Sequence, residues 1–124
     1  MATVTLTDDD QRELLRIARI TLRERLASGL VPPGRPHRAT LLAPATVVLR
    51  LLDGAGTRAD GQSGTAQLPR YRAVQKAALH CLGSAPPPSL TLDDLESLVI
   101  ELSITSDGGT SCFDDRTRLP GRAR

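Results

Sequence analysis

His80 and Cys81 are neighbours in the sequence, and with His37 they supply side chains of the kind that bind transition metals. Consecutive positions on a helix point about 100° apart, and no second His or Cys follows either one at four residues' distance. The spacing therefore places no two ligands on one helix face. Cys81 stands among apolar neighbours, where a free thiol behaves as a small hydrophobic group. We predict a partly exposed His80, a buried Cys81 and no metal site.

Asp93, Asp94 and Glu96, together with Glu101, could supply the paired carboxylates of acid–base catalysis. Thr91 precedes Asp94 by three positions, however, and this spacing is typical of a capping box at the start of a helix. Acidic residues in a first helical turn also stabilise the positive end of the helix dipole. We interpret these carboxylates as capping and solvating groups, and we predict no catalytic residue.

The first helix that must position any site is predicted over residues 8–28. Thr7 is a suitable N-cap, and the three aspartates that follow it favour the helix start. Gly29 can adopt the left-handed conformation that ends a helix. Apolar residues recur at spacings of three and four, as expected for one buried stripe, at Leu15, Ala18, Leu22 and Leu26.

The other elements follow from similar patterns. We predict a buried strand over 45–53, a turn over 53–57, a helix over 69–82, a short helix after Thr91 and a half-buried strand over 98–105. The fold class is α+β, with an antiparallel sheet and two main helices packed on it. The residues predicted to be buried are Leu15, Ala18, Leu22, Val47, Leu49, Val74, Ala78, Ile100 and Leu102.

Two segments lack a clear pattern. Residues 57–67 contain two glycines and no large apolar side chain, so we expect a loop or a poor edge strand there. Residues 107–124 are rich in Gly, Arg and Asp without any period, and we expect them to be disordered. The expected organisation is one domain over 1–106, degenerate at 57–67, followed by a disordered tail over 107–124.

Composition narrows the classes of function. The 124 residues carry a net charge of only +2, although 15 of the 16 basic residues are Arg. The arginines are spread along the chain, so nucleic-acid binding is not expected. The N-terminus has no signal-peptide pattern, and no apolar run approaches the roughly 20 residues that span a bilayer. We therefore expect a cytoplasmic protein without a membrane partner.

Four stretches of the chain, read in order, carry a resemblance to a known family. They are LTDDDQRELLRIARITLRERL, PATVVLRLLDGAG, RAVQKAALHCL and PPPSLTLDDLESLVIELSI. Their order and residue types resemble the AMMECR-type domain, also called AmmeMemoRadiSam system protein A. The resemblance covers roughly residues 5–105, and the last stretch is its strongest part. It implies a truncated and divergent AMMECR-type domain, because the family's usual C-terminal portion is replaced by the sequence from Asp107 onward.

The family's signature, Leu-Arg-Gly-Cys-Ile-Gly, normally follows the turn after the first strand. Counting back from the later helix places Arg58 on the signature arginine and Asp60 on the signature cysteine. The resemblance thus implies a binding residue at Arg58 and no thiol chemistry at Asp60. Because a buried Ile would favour a strand here, we also predict that Asp60→Cys, Gly61→Ile and Gln62→Gly together would stabilise the chain.

The resemblance implies a non-catalytic accessory or interaction protein of the AmmeMemoRadiSam system, with no cofactor of its own. Its implied partners are a Memo-like protein and a radical S-adenosylmethionine protein. One alternative is an inactive or partial fragment of an enzyme that has lost the signature cysteine. Another is a weak anion or nucleic-acid binder that uses Arg58, Arg70 and Arg72.

Overall fold

The chain folds as an antiparallel sheet with helices packed on it, an α+β architecture as predicted. The computed structural model describes residues 6–29, 39–84, 90–106 and 109–116, and within these ranges the sheet has five strands. The elements are α1 (Asp8–Ser28), a 3-10 turn (Ala39–Leu42), β1 (Pro44–Asp53), β2 (Gly56–Gln62), β3 (Leu68–Pro69), α2 (Arg70–Ser84), α3 (Leu92–Glu96), β4 (Val99–Ser106) and β5 (Gly109–Asp114). The strand order is β2-β1-β4-β5, and β3 pairs separately with β1.

Helix α1 begins and ends where its sequence predicts. The Thr7 hydroxyl accepts a hydrogen bond from the Asp10 backbone N–H at 3.1 Å, and the Asp10 carboxylate accepts one from the Thr7 N–H at 3.2 Å. This reciprocal pair is a capping box, which satisfies two backbone donors at the helix start. Gly29 ends the helix with a φ of 77°, a left-handed conformation that glycine adopts without a steric penalty.

The core lies between the helices and one face of the sheet. Central strands β1 and β4 pair in register, with Leu49 opposite Leu102 and Leu51 opposite Ile100. All nine residues predicted to be buried are buried, which confirms the expected stripes on α1, β1, α2 and β4. Helix α2 begins at Arg70 rather than Pro69 because Pro69 belongs to β3, where it pairs with Pro44 of β1. The helix continues through Gly83 to Ser84.

The segment over 57–67, where we expected a loop or a poor edge strand, forms part of a strand and then a loop without any large apolar residue. Residues up to Gln62 form the edge strand β2, and only the following residues form a loop. Small side chains are required because α2 crosses β2 closely. A Cβ atom added at Gly61 would lie 2.6 Å from the Cα of Cys81 and closer still to the backbone N of Cys81 and O of Ala77. The predicted stabilisation by Gly61→Ile is therefore wrong, since an Ile cannot fit between the strand and the helix backbone.

The predicted disorder of 107–124 is wrong for residues 109–116. Strand β5 pairs with the free edge of β4, from Ser106 opposite Gly109 to Glu101 opposite Asp114. Phe113 packs against the hydrophobic core, which explains why an apparently patternless segment is ordered by tertiary contact. Residues 107–108 and 117–124 of that predicted tail lie outside the described residues. None of the helices in the described ranges is long and apolar enough to cross a membrane.

Candidate functional site

A buried ion pair joins α1 to the end of β5. Nη2 of Arg19 lies 2.6 Å from Oδ2 of Asp115, and the two side chains are only 6% and 7% exposed. The same guanidinium donates to the Leu95 carbonyl at 2.7 Å and the Leu98 carbonyl at 2.9 Å. Asp115 in turn accepts a hydrogen bond from the Ile100 N–H at 2.8 Å. This network fixes the position of β5 relative to α1 and to the loop between α3 and β4.

Above this network lies a groove, which we call the α1 groove. It has a volume of about 500 Å³ and runs between α1 and the end of β5. Its apolar part is formed by Leu15, which is buried, and Ile20, which is half-buried. The residues that line it are Arg12, Leu15, Arg16, Arg19, Ile20, Arg23, Asp114 and Asp115.

Four arginines share this face of α1 because their spacings are four, three and four residues. Arg19 is buried beneath the groove, whereas the other three are exposed along it. Positions so spaced lie on one side of a helix. The spacing of this stripe can be read in the sequence, but we considered only the apolar stripe of α1 there. Asp115 gave no such signal because it lies in the segment expected to be disordered.

The three exposed arginines each lie near an acidic side chain. Arg12 is 3.3 Å from Asp9. Arg16 makes two hydrogen bonds to Glu13, and those hydrogen bonds raise the pKa of Arg16. Arg23 lies 3.6 Å from Glu96. Exposed ion pairs of this kind contribute only about 0–1 kcal/mol, so a carboxylate from another molecule can compete with them.

Arg58, the residue singled out by the signature, lies elsewhere. Leu51 pairs with Ala59 and Leu52 pairs with Thr57, so Arg58 occupies a bulge in β2 and is half-buried. Such bulges redirect a side chain at a sheet edge. The position aligned with the signature cysteine, Asp60, is exposed on the same strand.

The three arginines of the anion-binding alternative do not come together. Arg70 lies at the start of α2, where its N–H donates to the Ala43 carbonyl, while Arg58 lies opposite the far end of β1. Eight residues of strand separate these positions, or about 26 Å. Arg70 is also buried, and desolvation lowers its pKa although the nearby Asp10 carboxylate acts to raise it. Arg72 is exposed on α2.

His80 and Cys81 take structural positions. Nδ1 of His80, which is exposed, accepts a hydrogen bond from the Gln62 N–H at 3.1 Å and so ties α2 to β2. Cys81 is fully buried as predicted, and burial, with a smaller contribution from Asp60, raises the pKa of its thiol to about 12. His37 lies outside the described residues, and within those residues no three His, Cys, Asp or Glu side chains group as metal ligands.

The carboxylates considered for catalysis are dispersed. Asp94 and Thr91 form the predicted capping box of α3. Glu96 lies near Arg23, and Glu101 accepts a hydrogen bond from Arg50 at 3.0 Å across β1 and β4. Asp93 is exposed in the first turn of α3.

Comparison with known proteins gives a structural likeness. No protein-family model matches the chain. No curated protein matches it. Among solved structures it is similar to the crystal structure of an uncharacterized protein from Pyrococcus horikoshii, with a TM-score of 0.71 and 24% sequence identity. The match covers 80% of this chain and 52% of that chain, so this chain spans about half the length of that structure. The likeness shows a shared fold.

Proposed function

We propose that this chain is a non-catalytic interaction protein of the AMMECR type, acting as an accessory component of the AmmeMemoRadiSam system. The proposal rests first on the sequence resemblance. Its strongest stretch ends in the run from Leu90 to Ile104, which forms α3 and the central strand β4. The strongest part of the resemblance therefore covers a central strand of the sheet and the backbone groups that bond to Arg19 and Asp115 beneath the α1 groove.

The observation that carries the proposal is the chemistry of the α1 groove. Its arginines and aliphatic side chains can bind a partner by charge and by apolar contact. The two aspartates that line it already have assigned partners: Asp115 holds Arg19 and Ile100, and Asp114 lies 3.7 Å from Arg116. This composition supports partner recognition as the role of the groove.

The buried thiol of Cys81 supports the same proposal. A nucleophilic cysteine requires a thiolate, which a lowered pKa supplies. Burial instead raises the pKa of Cys81 to about 12. At the position of the family's signature cysteine the chain has Asp60, whose carboxylate cannot perform thiol chemistry.

The proposed partners are a Memo-like protein and a radical S-adenosylmethionine protein. Sedimentation velocity of the purified chain, mixed separately with each purified candidate from the same genome, tests this proposal. We expect a faster-sedimenting species with at least one candidate and no such species with an unrelated protein of matched size and charge. Unchanged sedimentation with both candidates at high micromolar concentrations contradicts the proposal.

A further inference from the structure

We infer that β5 is the contact surface of a symmetric dimer, in which the free edges of two copies of this chain pair as antiparallel strands. Within the described residues, the strand order β2-β1-β4-β5 leaves one side of β5 without a neighbouring strand. An edge strand presents unpaired backbone donors and acceptors, which another strand can satisfy. The inference concerns self-association and does not depend on the proposed function.

The backbone groups at this edge belong to alternate residues of β5. The Asp115 N–H donates to the Ile100 carbonyl at 3.1 Å, which places positions 100 and 115 at a hydrogen-bonded step of the ladder. Such steps alternate with non-bonded ones in an antiparallel pair, so the odd-numbered residues of β5 bond to β4. Thr110, Cys112 and Asp114 therefore direct their N–H and carbonyl groups towards the free edge.

The two edges of the described sheet differ in their protection. Natural sheets block their edges with charged side chains, proline or a bulge. Strand β5 contains no Lys, Arg or Pro, its one charged residue is Asp114 at the end, and its pairing with β4 runs without a register shift. The opposite edge, β2, has a bulge at Arg58, a charge at Asp60 and a Gln62 N–H that donates to His80. A closed pair through β5, rather than a growing fibre, is the expected assembly.

The backbone pattern of β5 favours a second copy as its neighbour. With Cys112 on a two-fold axis perpendicular to the sheet, Cys112 pairs with its own copy and Thr110 pairs with Asp114 of the second copy. Every outward-facing residue of the strand then exchanges hydrogen bonds across the axis, about six bonds in total. An axis through Ser111 or Phe113 would align fewer of these residues within the strand.

The charges of β5 fit the same register. Asp114 would face the hydroxyl of Thr110 of the second copy, and the two Asp114 carboxylates would be separated by about four residues of strand, or about 14 Å. The Thr110 hydroxyl lies 2.9 Å from that of Thr105, from which it can accept while it donates to Asp114. Asp114 already accepts the Arg116 N–H at 3.0 Å, and a carboxylate has about four acceptor sites.

The other face of β5 gains apolar contact in this register. Phe113 packs against the core and is half-buried, whereas Ser111 is exposed. Phe113 would lie opposite Ser111 of the second copy, which covers part of the exposed ring at each side of the axis.

Sedimentation equilibrium of the full chain under reducing conditions tests the association. We expect a monomer at low micromolar concentration and a reversible dimer at high micromolar concentration. Cys112→Lys places two positive charges together on the axis and should raise the dimer Kd about tenfold or more. Cys112→Ser and Thr57→Lys, the second on the edge of β2, should change it less than about twofold. Circular dichroism and the urea midpoint verify that each variant is folded. A chain that stays monomeric, or a dimer unaffected by Cys112→Lys, overturns the inference.

Oxidation of the dimer with diamide tests the register. The Cα atoms of the two Cys112 residues would lie about 5.5 Å apart, within reach of a disulfide. Two thiols give two electrons and two protons to diamide as the S–S bond forms. In Thr110→Cys combined with Cys112→Ser, the two introduced thiols would lie on Cα atoms about 14 Å apart, beyond that reach. We expect the natural chain to form the covalent dimer about tenfold faster, and equal rates overturn the inference.

Two outcomes separate this inference from the proposed function. If the chain does not self-associate, and Cys112→Lys abolishes binding of a Memo-like or radical S-adenosylmethionine protein, the edge receives another protein. Self-pairing is then overturned and the proposed function stands. If the dimer depends on Cys112 as expected and neither protein binds, the inference is supported and the proposed system is contradicted.

Discussion

Arg19 and Asp115 lie 96 positions apart in the sequence, yet their side chains meet at 2.6 Å in the interior. Their contact connects the first helix to the last part of the chain that the structure describes. Arg19 also donates to the Leu95 carbonyl of α3 and to the Leu98 carbonyl of the loop that follows, and Asp115 also accepts the N–H of Ile100. One ion pair thus joins three elements beneath the α1 groove.

Removing one partner of this pair should strongly destabilise the fold. Asp115→Ala leaves a buried guanidinium without its carboxylate and removes the acceptor of the Ile100 N–H. We expect a loss of about 3–5 kcal/mol in the free energy of unfolding, measured by urea titration. Asp115→Asn removes the charge but keeps an oxygen for Ile100, so its effect should be smaller.

The exposed pair on the same helix gives the control for this prediction. Arg12→Ala breaks an ion pair whose side chains are 77% and 61% exposed, and its effect should stay below about 1 kcal/mol. If Asp115→Ala and Arg12→Ala shift the urea midpoint equally, the pair between α1 and β5 is not formed in solution.

Gly61 should tolerate no side chain. In Gly61→Ala the new Cβ would collide with backbone atoms of Cys81 and Ala77, which cannot rotate away as a side chain could. We expect a loss of about 3 kcal/mol or more, from displacement of α2 or of β2. Gly54→Ala is the matched control because nothing lies within 4 Å of its added Cβ, and its effect should be within about 0.5 kcal/mol. Equal stability of the two variants in urea would show that α2 and β2 are not closely packed.

Ser63 extends the pairing of β1 and β2 with its side chain. Its Oγ accepts the Val47 N–H at 2.9 Å, while its own N–H donates to the Val47 carbonyl at 2.9 Å. Ser63→Ala leaves a buried donor unsatisfied, so we expect a loss of about 1–3 kcal/mol by urea titration. Ser111→Ala, at an exposed position of β5, should change stability by less than about 0.5 kcal/mol. A neutral Ser63→Ala would indicate that water replaces the hydroxyl.

The elements that were correctly predicted have local signals. The capping box of Thr7 and Asp10, the apolar stripe of α1 and the alternation along β4 can each be read within a few residues. Local spacing also contains the arginine stripe of α1, since positions 12, 16, 19 and 23 follow a helical period. That stripe could have revealed half of the candidate site.

The elements that were missed depend on distant partners. Gly61 resembles a loop residue in the sequence, but it is a strand residue selected by the approach of Cys81 and Ala77. Strand β5 has no apolar period because it covers the edge of β4 with Phe113 as its main core contact. Nothing local indicates that Asp115 will reach Arg19, because only the folded sheet brings the two side chains together.

The two cysteines should differ sharply in reactivity. Cys112 is exposed and Cys81 is fully buried, so a thiol reagent at about pH 8 should modify one thiol per native chain and both in urea. In Cys112→Ser the native protein should not react at all. Rapid modification of native Cys112→Ser would mean that α2 does not cover Cys81.

The raised pKa of Cys81 also predicts a loss of stability in alkali. Burial raises the pKa from 9.0 to about 12, so between these values the unfolded chain releases the thiol proton and the folded chain retains it. The unfolded state then binds fewer protons, and the free energy of unfolding falls as the pH rises. The contribution is fully present below about pH 9 and should decline by roughly 1.4 kcal/mol per pH unit above it.

The free energies of unfolding obtained by urea titration at about pH 8 and about pH 10.5 should therefore differ by about 2 kcal/mol more in the natural chain than in Cys81→Ala. The other ionisable groups are the same in both proteins, so their effects cancel in this comparison. An equal alkaline loss in the two proteins would show that the Cys81 thiol is not desolvated.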